Sequence, residues 1–385
     1  MAPVTLRRPI RASAVGPRPR VVHLMPNLVG GGAESVVRSL CAGLPGEGID
    51  VIAVTIYASG LDPIARATLG ADLVDVGRRG RRDLGYFPRL VKTLRELAPD
   101  IVHAHLHTGQ YAGRLAAALA GVPTIVFTAH GAEPESALRR TVDRMLDART
   151  ARFVVFTEAQ RNDFGRKRGV PLERIAVIAN GVPQPAVRDR ASVRVALNIP
   201  ASAFALYAAA RFSPVKNHRL AIEALALLHG RDKPDDVHLV FAGTGPLESE
   251  LRTFVRELGL TERVHFLGFR ADAAALGNAM DLFVMPSIGE RMPLALGEAM
   301  LIGLVPVVAP WEGCADFVRD GETGFIAADY SADAFAAAIR RARKARETGA
   351  AVAENAAAFA VNRFSLETMM RRHADLYRSL VGAPA

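Results

Sequence analysis

Two glutamates, Glu290 and Glu298, stand at a spacing that could hold two parts of one extended ligand. An apolar run at 281–284 precedes them and predicts a buried parallel strand, which proline, serine and glycine at 286, 287 and 289 end. Pro293 then suits the first turn of a helix. Glu290 therefore lies in a loop and Glu298 beyond the first helical turn. The exposed N–H groups and positive dipole end of such a helix favour a phosphate or a sugar hydroxyl.

Two cations bracket a turn earlier in the same half of the chain. Arg211 and Lys216 follow a predicted strand at 204–208 and offer a planar fork and a point charge to a pair of phosphates. The alternative is a solvated loop, but both cations stand where strand ends bind ligands. Gly243 opens the tight turn Gly-Thr-Gly-Pro after a later strand, and this turn could admit a nucleotide ring.

A glycine-rich turn at 30–32 follows the first predicted strand. It does not match the dinucleotide pattern G-x-G-x-x-G, because residue 35 is serine, and no acidic residue follows the second strand. Two interpretations stay open. Gly31 and Gly32 let the backbone approach a diphosphate, or they form only a tight strand-to-helix turn.

Histidines mark two strand ends in the first half. His103, His105 and His107 alternate, so an extended strand would place them on one face, where a metal site has to be considered. No further histidine or carboxylate cluster stands at a ligand spacing, so we predict no metal. His130 precedes a glycine at the carboxyl end of another strand, and we expect it to hydrogen-bond a ligand hydroxyl.

The composition limits the classes of partner and compartment. Two cysteines in 385 residues argue against a disulfide framework and favour a reducing, cytoplasmic location. The net charge of +9 indicates an anionic partner. The basic clusters at 78–82, 139–140 and 166–168 lack interleaved aromatic residues, so we predict no nucleic acid. They are either a solvated face or a contact with an anionic membrane surface.

The order of predicted elements defines an α/β fold of two domains. Apolar strands alternate with helices in both halves, which indicates parallel sheets covered on both faces. We predict a disordered basic lead at 1–19, a Rossmann-like domain at 20–182 and a second one at 183–363, with an interdomain connection up to about residue 202. The two doubly wound domains would face a central cleft. A helix at about 364–381 would pack back on the first domain.

The order and spacing of these motifs resemble the retaining glycosyltransferases of the GT-B fold, in particular glycosyltransferase family 4, also called glycosyl transferases group 1. The resemblance runs from residue 21 to about residue 376. Glu290 and Glu298 match the family's E-x7-E arrangement. The other matching segments are Gly-Gly-Ala-Glu at 31–34, the histidine strand at 100–105, His-Gly at 130–131, Arg211 with Lys216, and the glycine turn at 242–247.

The resemblance implies a hexosyltransferase-type enzyme that moves a sugar from a UDP- or GDP-sugar to a glycan or lipid-linked acceptor. Such an enzyme would need no cofactor and no metal. Arg211 and Lys216 would neutralise the diphosphate, and Glu298 would bind the ribose. The remaining implied contacts to the donor come from Glu290, His130, Gly31, Gly32, Gly243, Met292, Pro293 and Leu294.

Some features leave other functions open. Arg291 and Met292 stand between Glu290 and Pro293, where the family usually has glycine and one further residue. A sugar-nucleotide epimerase of similar fold and a catalytically silent nucleotide-sugar-binding protein are therefore alternatives. We further expect a cytoplasmic location, with a peripheral position at the inner face of the plasma membrane. No G-x-S-x-G elbow occurs, which argues against a serine hydrolase.

Overall fold

The structure is a computed structural model that describes residues 18–29, 31–80, 82–130, 137–229 and 236–382. Most of the predicted basic lead lies outside these residues. The chain divides into two compact units. Unit 1 contains the residues up to Asn180 together with those from Leu366 onward, and unit 2 is Gly181–Ser365. No described helix is both long and apolar enough to cross a bilayer.

Unit 1 is built on a parallel sheet of seven strands. They are β1 (Arg20–Met25), β2 (Asp50–Thr55), β3 (Asp72–Asp75), β4 (Ile101–His105), β5 (Thr124–Thr128), β6 (Arg152–Val155) and β7 (Ile175–Val177). The strand order is β3-β2-β1-β4-β5-β6-β7. The chain therefore reverses its direction of travel across the sheet between β1 and β4. Ligands bind at the carboxyl edge beside such a switch point.

The helices of unit 1 cover this sheet. They are α1 (Gly32–Gly43), α2 (Pro63–Ala67), α3 (Tyr86–Leu97), α4 (Leu106–Thr108), α5 (Arg114–Ala120), α6 (Ala137–Arg149) and α7 (Glu158–Arg168). Helix α3 shows why: Leu90, Val91, Leu94 and Leu97 recur at helical spacing and are all buried. A π-helical turn at Gly109–Gly113 joins α4 to α5.

Unit 2 repeats this construction with six strands. Helix α8 (Arg190–Ala196) comes first, and the strands are β8 (Phe204–Ala209), β9 (Val237–Ala242), β10 (Val264–Phe266), β11 (Leu282–Met285), β12 (Val305–Val308) and β13 (Phe325–Ile326). Their order is β10-β9-β8-β11-β12-β13, all parallel. The switch point here lies between β8 and β11. The helices are α9 (His218–His229), α10 (Glu248–Glu257), α11 (Ala273–Leu276), α12 (Leu294–Leu301), α13 (Ala332–Glu347) and α14 (Val352–Arg363).

The segment expected to connect the domains, up to about residue 202, contains a helix. Helix α8 occupies part of this segment, and the Asp189 side chain caps it by accepting a hydrogen bond from the backbone N–H of Ser192 at 2.8 Å. Arg194, with only 3% of its side chain exposed, pairs with Asp281 at 2.7 Å. This buried ion pair holds α8 against the start of β11. The segment is therefore part of unit 2.

The last helix, α15 (Leu366–Val381), belongs to unit 1 although the chain reaches it only after unit 2. Its buried face carries Met369, Met370, His373 and Tyr377. The hydroxyl of Tyr377 lies 2.6 Å from Nδ1 of His103 on β4. This contact fixes the helix against the centre of the first sheet.

Candidate functional site

The switch point of unit 2 brings together residues from distant parts of the chain. Lys216 lies in the loop after β8, and Glu290 lies in the loop after β11, the neighbouring strand. Nζ of Lys216 is 2.6 Å from Oε1 of Glu290, and the two side chains are 25% and 8% exposed. The pair is thus largely shielded from solvent, where a charge interaction is stronger than at an open surface.

Backbone contacts fix the two loops to each other. The N–H of Ile288 donates to the carbonyl of Val215 at 2.9 Å, one residue before Lys216. Ser287 is buried with 2% exposure. The Lys216–Glu290 pair therefore rests on a main-chain link between the two loops as well as on its own attraction.

The glycine turn after β9 lies directly against the loop that carries Arg211. Gly243 has φ +150, and a Cβ atom on it would come within 2.0 Å of the carbonyl oxygen of Ala210. The N–H of Phe212 donates to the carbonyl of Thr244 at 3.0 Å. Glycine is therefore required at 243 for close packing of two backbones. The turn packs against Ala210 and Phe212, the residues on either side of Arg211.

Arg211 is exposed, and within the described residues no acidic side chain pairs with it. Lys216 by contrast already has an acidic partner. The arrangement thus offers one exposed guanidinium and one half-buried ammonium at the same strand end, a combination that can neutralise two negative oxygens.

Helix α12 places the second glutamate as the sequence predicts. Pro293 precedes the helix as its N-cap residue, and Glu298 is the fifth helical residue. Burial raises the pKa of Glu298 to about 7. Gly297 leaves room for Phe364, since a Cβ there would lie 2.6 Å from the Phe364 ring. Because its pKa is about 7, the carboxyl of Glu298 changes charge near neutral pH.

Four residues between the two glutamates lead into the start of α12. Met292 and Pro293 are buried, while Leu294 and Arg291 are half-buried. The helix begins at Leu294, so its first N–H groups have no intrahelical partners. The start of α12 thus offers backbone donors beside Glu290.

In unit 1 the predicted glycine turn forms the start of α1. Gly31 is the N-cap residue, with extended backbone geometry, and Gly32 is the first helical residue. Both are exposed. Gly30 lies outside the described residues. Neither Gly31 nor Gly32 has a positive φ, so a left-handed backbone does not explain the two glycines. What they offer to a ligand is the exposed backbone at a helix start.

Histidines form a connected group at the carboxyl half of this sheet. Nδ1 of His23 on β1 lies 2.9 Å from Nε2 of His105 on β4, and Nδ1 of His105 lies 3.1 Å from Nε2 of His130 after β5. His103 contacts Tyr377 and, at 2.7 Å, the hydroxyl of Thr128. His23, His103 and His105 are at most 1% exposed.

The prediction that His107 shares a face with His103 and His105 is wrong. Strand β4 ends at His105, Leu106 adopts φ +57, and His107 is exposed on α4. His23 takes its place, because its strand neighbours β4 and its register partner is His103. Ring nitrogens of His23, His103 and His105 lie within 4.8 Å of one another.

The ring of His373 on α15 also lies near the group, with its centroid 5.9 Å from that of His103. Sequence reasoning missed four members of this group, His23, Thr128, His373 and Tyr377. The available signal was a histidine in the middle of an apolar strand, at 23 as at 103. Burial lowers the pKa of His23 to about 3 and the pKa of His130 and His373 to about 4, with neighbouring histidines adding to the effect for His23 and His130. These imidazoles are therefore neutral at physiological pH.

The basic clusters do not all face solvent. Arg168 is 5% exposed and pairs with Asp147 at 2.8 Å, and Arg166 pairs with Asp163 at the same distance. Arg78 stacks on the Tyr86 ring at 4.2 Å. In the described part of the first cluster, Arg79 and Arg82 are exposed, and Leu84 beside them is 79% exposed.

Two family sequence profiles match the chain. "Glycosyltransferase Family 4" matches residues 30–184, and "Glycosyl transferases group 1" matches residues 189–359. They meet close to the division between the units. Together they cover the glycine turn, His103, His105 and His130, both cations and both glutamates.

Relatives and solved structures give the same result. The chain is 29% identical over 312 residues to the Escherichia coli UDP-Gal:alpha-D-GlcNAc-diphosphoundecaprenol alpha-1,3-galactosyltransferase, covering 78% of this chain and 80% of that one. It is 31% identical over 310 residues to EpsF of Bacillus subtilis, a provisionally named glycosyltransferase, covering 75% and 79%. The crystal structure of Anabaena Alr3699/HepE in complex with UDP and glucose matches with a TM-score of 0.82 and 25% identity, over 94% and 100% of the chains.

These matches agree with the two parallel sheets, and the two relatives described above carry the names of glycosyltransferases. The alternatives of an epimerase and a silent binding protein are therefore not favoured. The chain has the GT-B fold and belongs to glycosyltransferase family 4, and it is a glycosyltransferase.

Proposed function

We propose that this glycosyltransferase moves a sugar from a UDP-sugar to a glycan or lipid-linked acceptor with retention of anomeric configuration. The observation that carries the proposal is the Lys216–Glu290 pair beside Arg211 at the switch point of unit 2. The names of the relatives support UDP as the nucleotide and a diphosphate-linked lipid as the acceptor class. GDP is the competing nucleotide.

The chemistry assigns a role to each charge. The bond between the anomeric carbon and the diphosphate oxygen breaks, and the leaving group gains negative charge. Arg211 and Lys216 stabilise that charge without reorganising, because the Gly243 turn and the main-chain link at Val215 hold their loops in place. The acceptor hydroxyl attacks the same face of the sugar, and its proton passes to the departing phosphate. Fixed cations and the start of α12 serve in place of a metal.

The remaining residues hold the donor. Glu298 accepts hydrogen bonds from the ribose hydroxyls, and the Gly243 turn contacts the nucleotide. Glu290 and the backbone from Met292 to Leu294 bind the sugar, His130 binds one of its hydroxyls, and Gly31 and Gly32 approach the diphosphate. The helix starts of α1 and α12, whose first N–H groups have no intrahelical partners, support the assignments of Gly31 and Gly32 and of the backbone from Met292 to Leu294.

A thermal-shift screen across UDP-, GDP- and ADP-sugars tests the nucleotide. A ligand that binds the native state raises the melting temperature, by an amount that grows with concentration above its dissociation constant. We expect UDP-sugars to give the largest shift, with and without EDTA. No shift from any nucleotide sugar, or a shift that EDTA abolishes, contradicts the proposal.

A product assay then tests the reaction. With the best donor and a lipid diphosphate-linked sugar as acceptor, we expect a glycosidic product whose anomeric configuration, read by NMR, equals that of the donor. Conversion of the donor alone into its epimer, or an inverted product, would refute the assigned chemistry.

We also propose that unit 1 binds an anionic membrane surface from the cytoplasmic side. The exposed side chains of Arg79, Arg82 and Leu84 support this, since they combine positive charge with an apolar side chain. In liposome co-sedimentation we expect binding to anionic vesicles that Arg79→Glu with Arg82→Glu abolishes. The control, Arg256→Glu with Lys344→Glu, makes the same charge change in unit 2. Equal binding to neutral and anionic vesicles contradicts the proposal.

A further inference from the structure

A row of three histidines leads from the centre of the first sheet to its carboxyl edge. His23 contacts His105 at 2.9 Å, and His105 contacts His130 at 3.1 Å, in both cases through ring nitrogens. His23 and His105 are buried, while His130 is half-buried. The row therefore joins an interior side chain to one that a ligand can reach.

The row can be polarised in only two ways. Each neutral imidazole carries one N–H and one lone pair. If His105 donates to His130, it must accept from His23, and if it accepts from His130, it must donate to His23. In the first case His130 keeps its proton on Nδ1, and in the second it keeps its proton on Nε2 and presents a lone pair at Nδ1. The tautomer of His130 is thus coupled to that of a residue two rings away.

The interior end of the row favours one polarity. Nε2 of His23 is buried and has no hydrogen-bond partner among the described residues. In the second arrangement this atom would carry a proton, and an unpaired buried N–H is among the rarest features of folded proteins. In the first arrangement His23 carries its proton on Nδ1, where His105 accepts it. Only a lone pair is then left without a partner.

We propose that His23 and His105 are positioning residues that hold His130 as the Nδ1–H tautomer, so that it donates a hydrogen bond to a hydroxyl oxygen of the donor sugar. The proposal rests on the proposed function for the identity of the ligand, but the tautomer itself follows from the row. His105 acts through His130, and His23 acts through both.

A metal ion would require a different geometry. Two histidine nitrogens on one tetrahedral zinc, each about 2.0–2.1 Å from the metal, lie about 3.3 Å apart. His23 and His105 approach to 2.9 Å, which is a hydrogen-bond distance. Both ring nitrogens of His103 already have hydroxyl partners, Tyr377 and Thr128. The geometry of the group is therefore that of side chains hydrogen-bonded to one another rather than to a metal.

Long-range ¹H–¹⁵N NMR of the full chain labelled with ¹⁵N-histidine tests the proposal, because the two ring nitrogens of a neutral histidine have widely separated shifts. The spectrum of His130→Gln assigns the His130 signals. In the wild type at pH 7 we expect His130 to show a protonated Nδ1 and an unprotonated Nε2. We expect His23→Leu to give a mixture of tautomers and about a threefold to tenfold lower kcat. His23→Asn, which restores an N–H near the position of Nδ1, should return both values toward the wild type.

Three outcomes overturn the proposal. They are a protonated Nε2 on wild-type His130, an unchanged His130 spectrum in folded His23→Leu, and a stoichiometric metal whose removal by a chelator shifts the His23 and His105 signals. His107→Leu, an exposed histidine outside the row, is the matched control and should change nothing. If the tautomer is as expected but His130→Gln transfers sugar at the wild-type rate, the proposed role of His130 fails while the polarity of the row stands.

Discussion

The ammonium nitrogen of Lys216 lies 2.6 Å from a carboxylate oxygen of Glu290, although the two residues are 74 positions apart in the chain. They meet because β8 and β11 are neighbours at the point where the strand order reverses. The contact joins Lys216, which we expect to bind the diphosphate, to Glu290, which we expect to bind the sugar. One orients the other, so a change at either residue is expected to affect both.

Replacement of Lys216 by methionine tests this coupling. It removes a cation that faces the leaving diphosphate, and we expect kcat to fall about 10²–10³-fold, or about 2.7–4 kcal/mol. It also leaves Glu290 as a shielded carboxylate without its partner, so stability falls. The double variant Lys216→Met with Glu290→Gln should regain stability and remain inactive. Arg219→Ala, an exposed cation nearby, is the control, and a wild-type kcat in Lys216→Met would refute the assignment.

Donor binding should depend on pH through Glu298. Burial raises the pKa of this carboxyl to about 7, so a rise from pH 6 to pH 8 converts it to the carboxylate that accepts from the ribose hydroxyls. We expect the dissociation constant of UDP, measured by calorimetry, to fall over this interval. Glu298→Gln should bind more weakly and without this pH dependence. An unchanged pH profile in that variant would exclude Glu298 as its source.

The same group has a defined effect on stability. Its pKa in the folded state lies above the usual value of 4.5, so between about pH 4.5 and pH 7 the folded state binds more protons than the unfolded state. The contribution is fully present below that window and is lost as pH rises through about 7. The free energy of unfolding of Glu298→Gln, relative to that of the wild type, should therefore be higher at pH 8 than at pH 5. Urea denaturation at the two pH values measures it.

Acid should destabilise unit 1 through its buried histidines. Burial lowers the pKa of His23, His103, His105 and His373, so the unfolded chain binds more protons below about pH 6.5. Stability is present above that value and is lost as the pH falls toward the folded pKa values. On the order of 1–2 kcal/mol per buried histidine is expected at pH 5. His23→Leu should show a shallower loss between pH 7 and pH 5 than His107→Leu.

Gly243 and Gly289 should differ sharply in their tolerance of alanine. A Cβ at 243 would come within 2.0 Å of a backbone oxygen, and the residue has φ +150, whereas a Cβ at 289 would meet only a Val215 methyl at 3.8 Å. We expect Gly243→Ala to lose about 3 kcal/mol or more, and Gly289→Ala to change stability by less than about 1 kcal/mol. Thermal denaturation measures both. Equal melting temperatures would mean that the turn does not brace the Arg211 loop.

The sequence alone predicted the parallel α/β architecture, the family and the places of Glu290, Glu298, Arg211 and Lys216. These features are local: apolar runs of strand length, glycine and proline at their ends, and charged residues at fixed offsets in the same loops. The start of α12 after Pro293 is decided by the φ angle of one residue and its neighbours. Such signals do not need knowledge of distant parts of the chain.

Only the tertiary structure decided which of these residues touch. The alternation of His103, His105 and His107 predicted one face, but the strand ends at His105, and His23 from another strand completes the group. The Lys216–Glu290 contact depends on which strands are neighbours, and Arg168, basic in the sequence, is held in a buried ion pair. Strand order and burial are properties of the whole sheet. A spacing of residues along the chain cannot fix them, because the contacts that do so join segments tens to hundreds of residues apart.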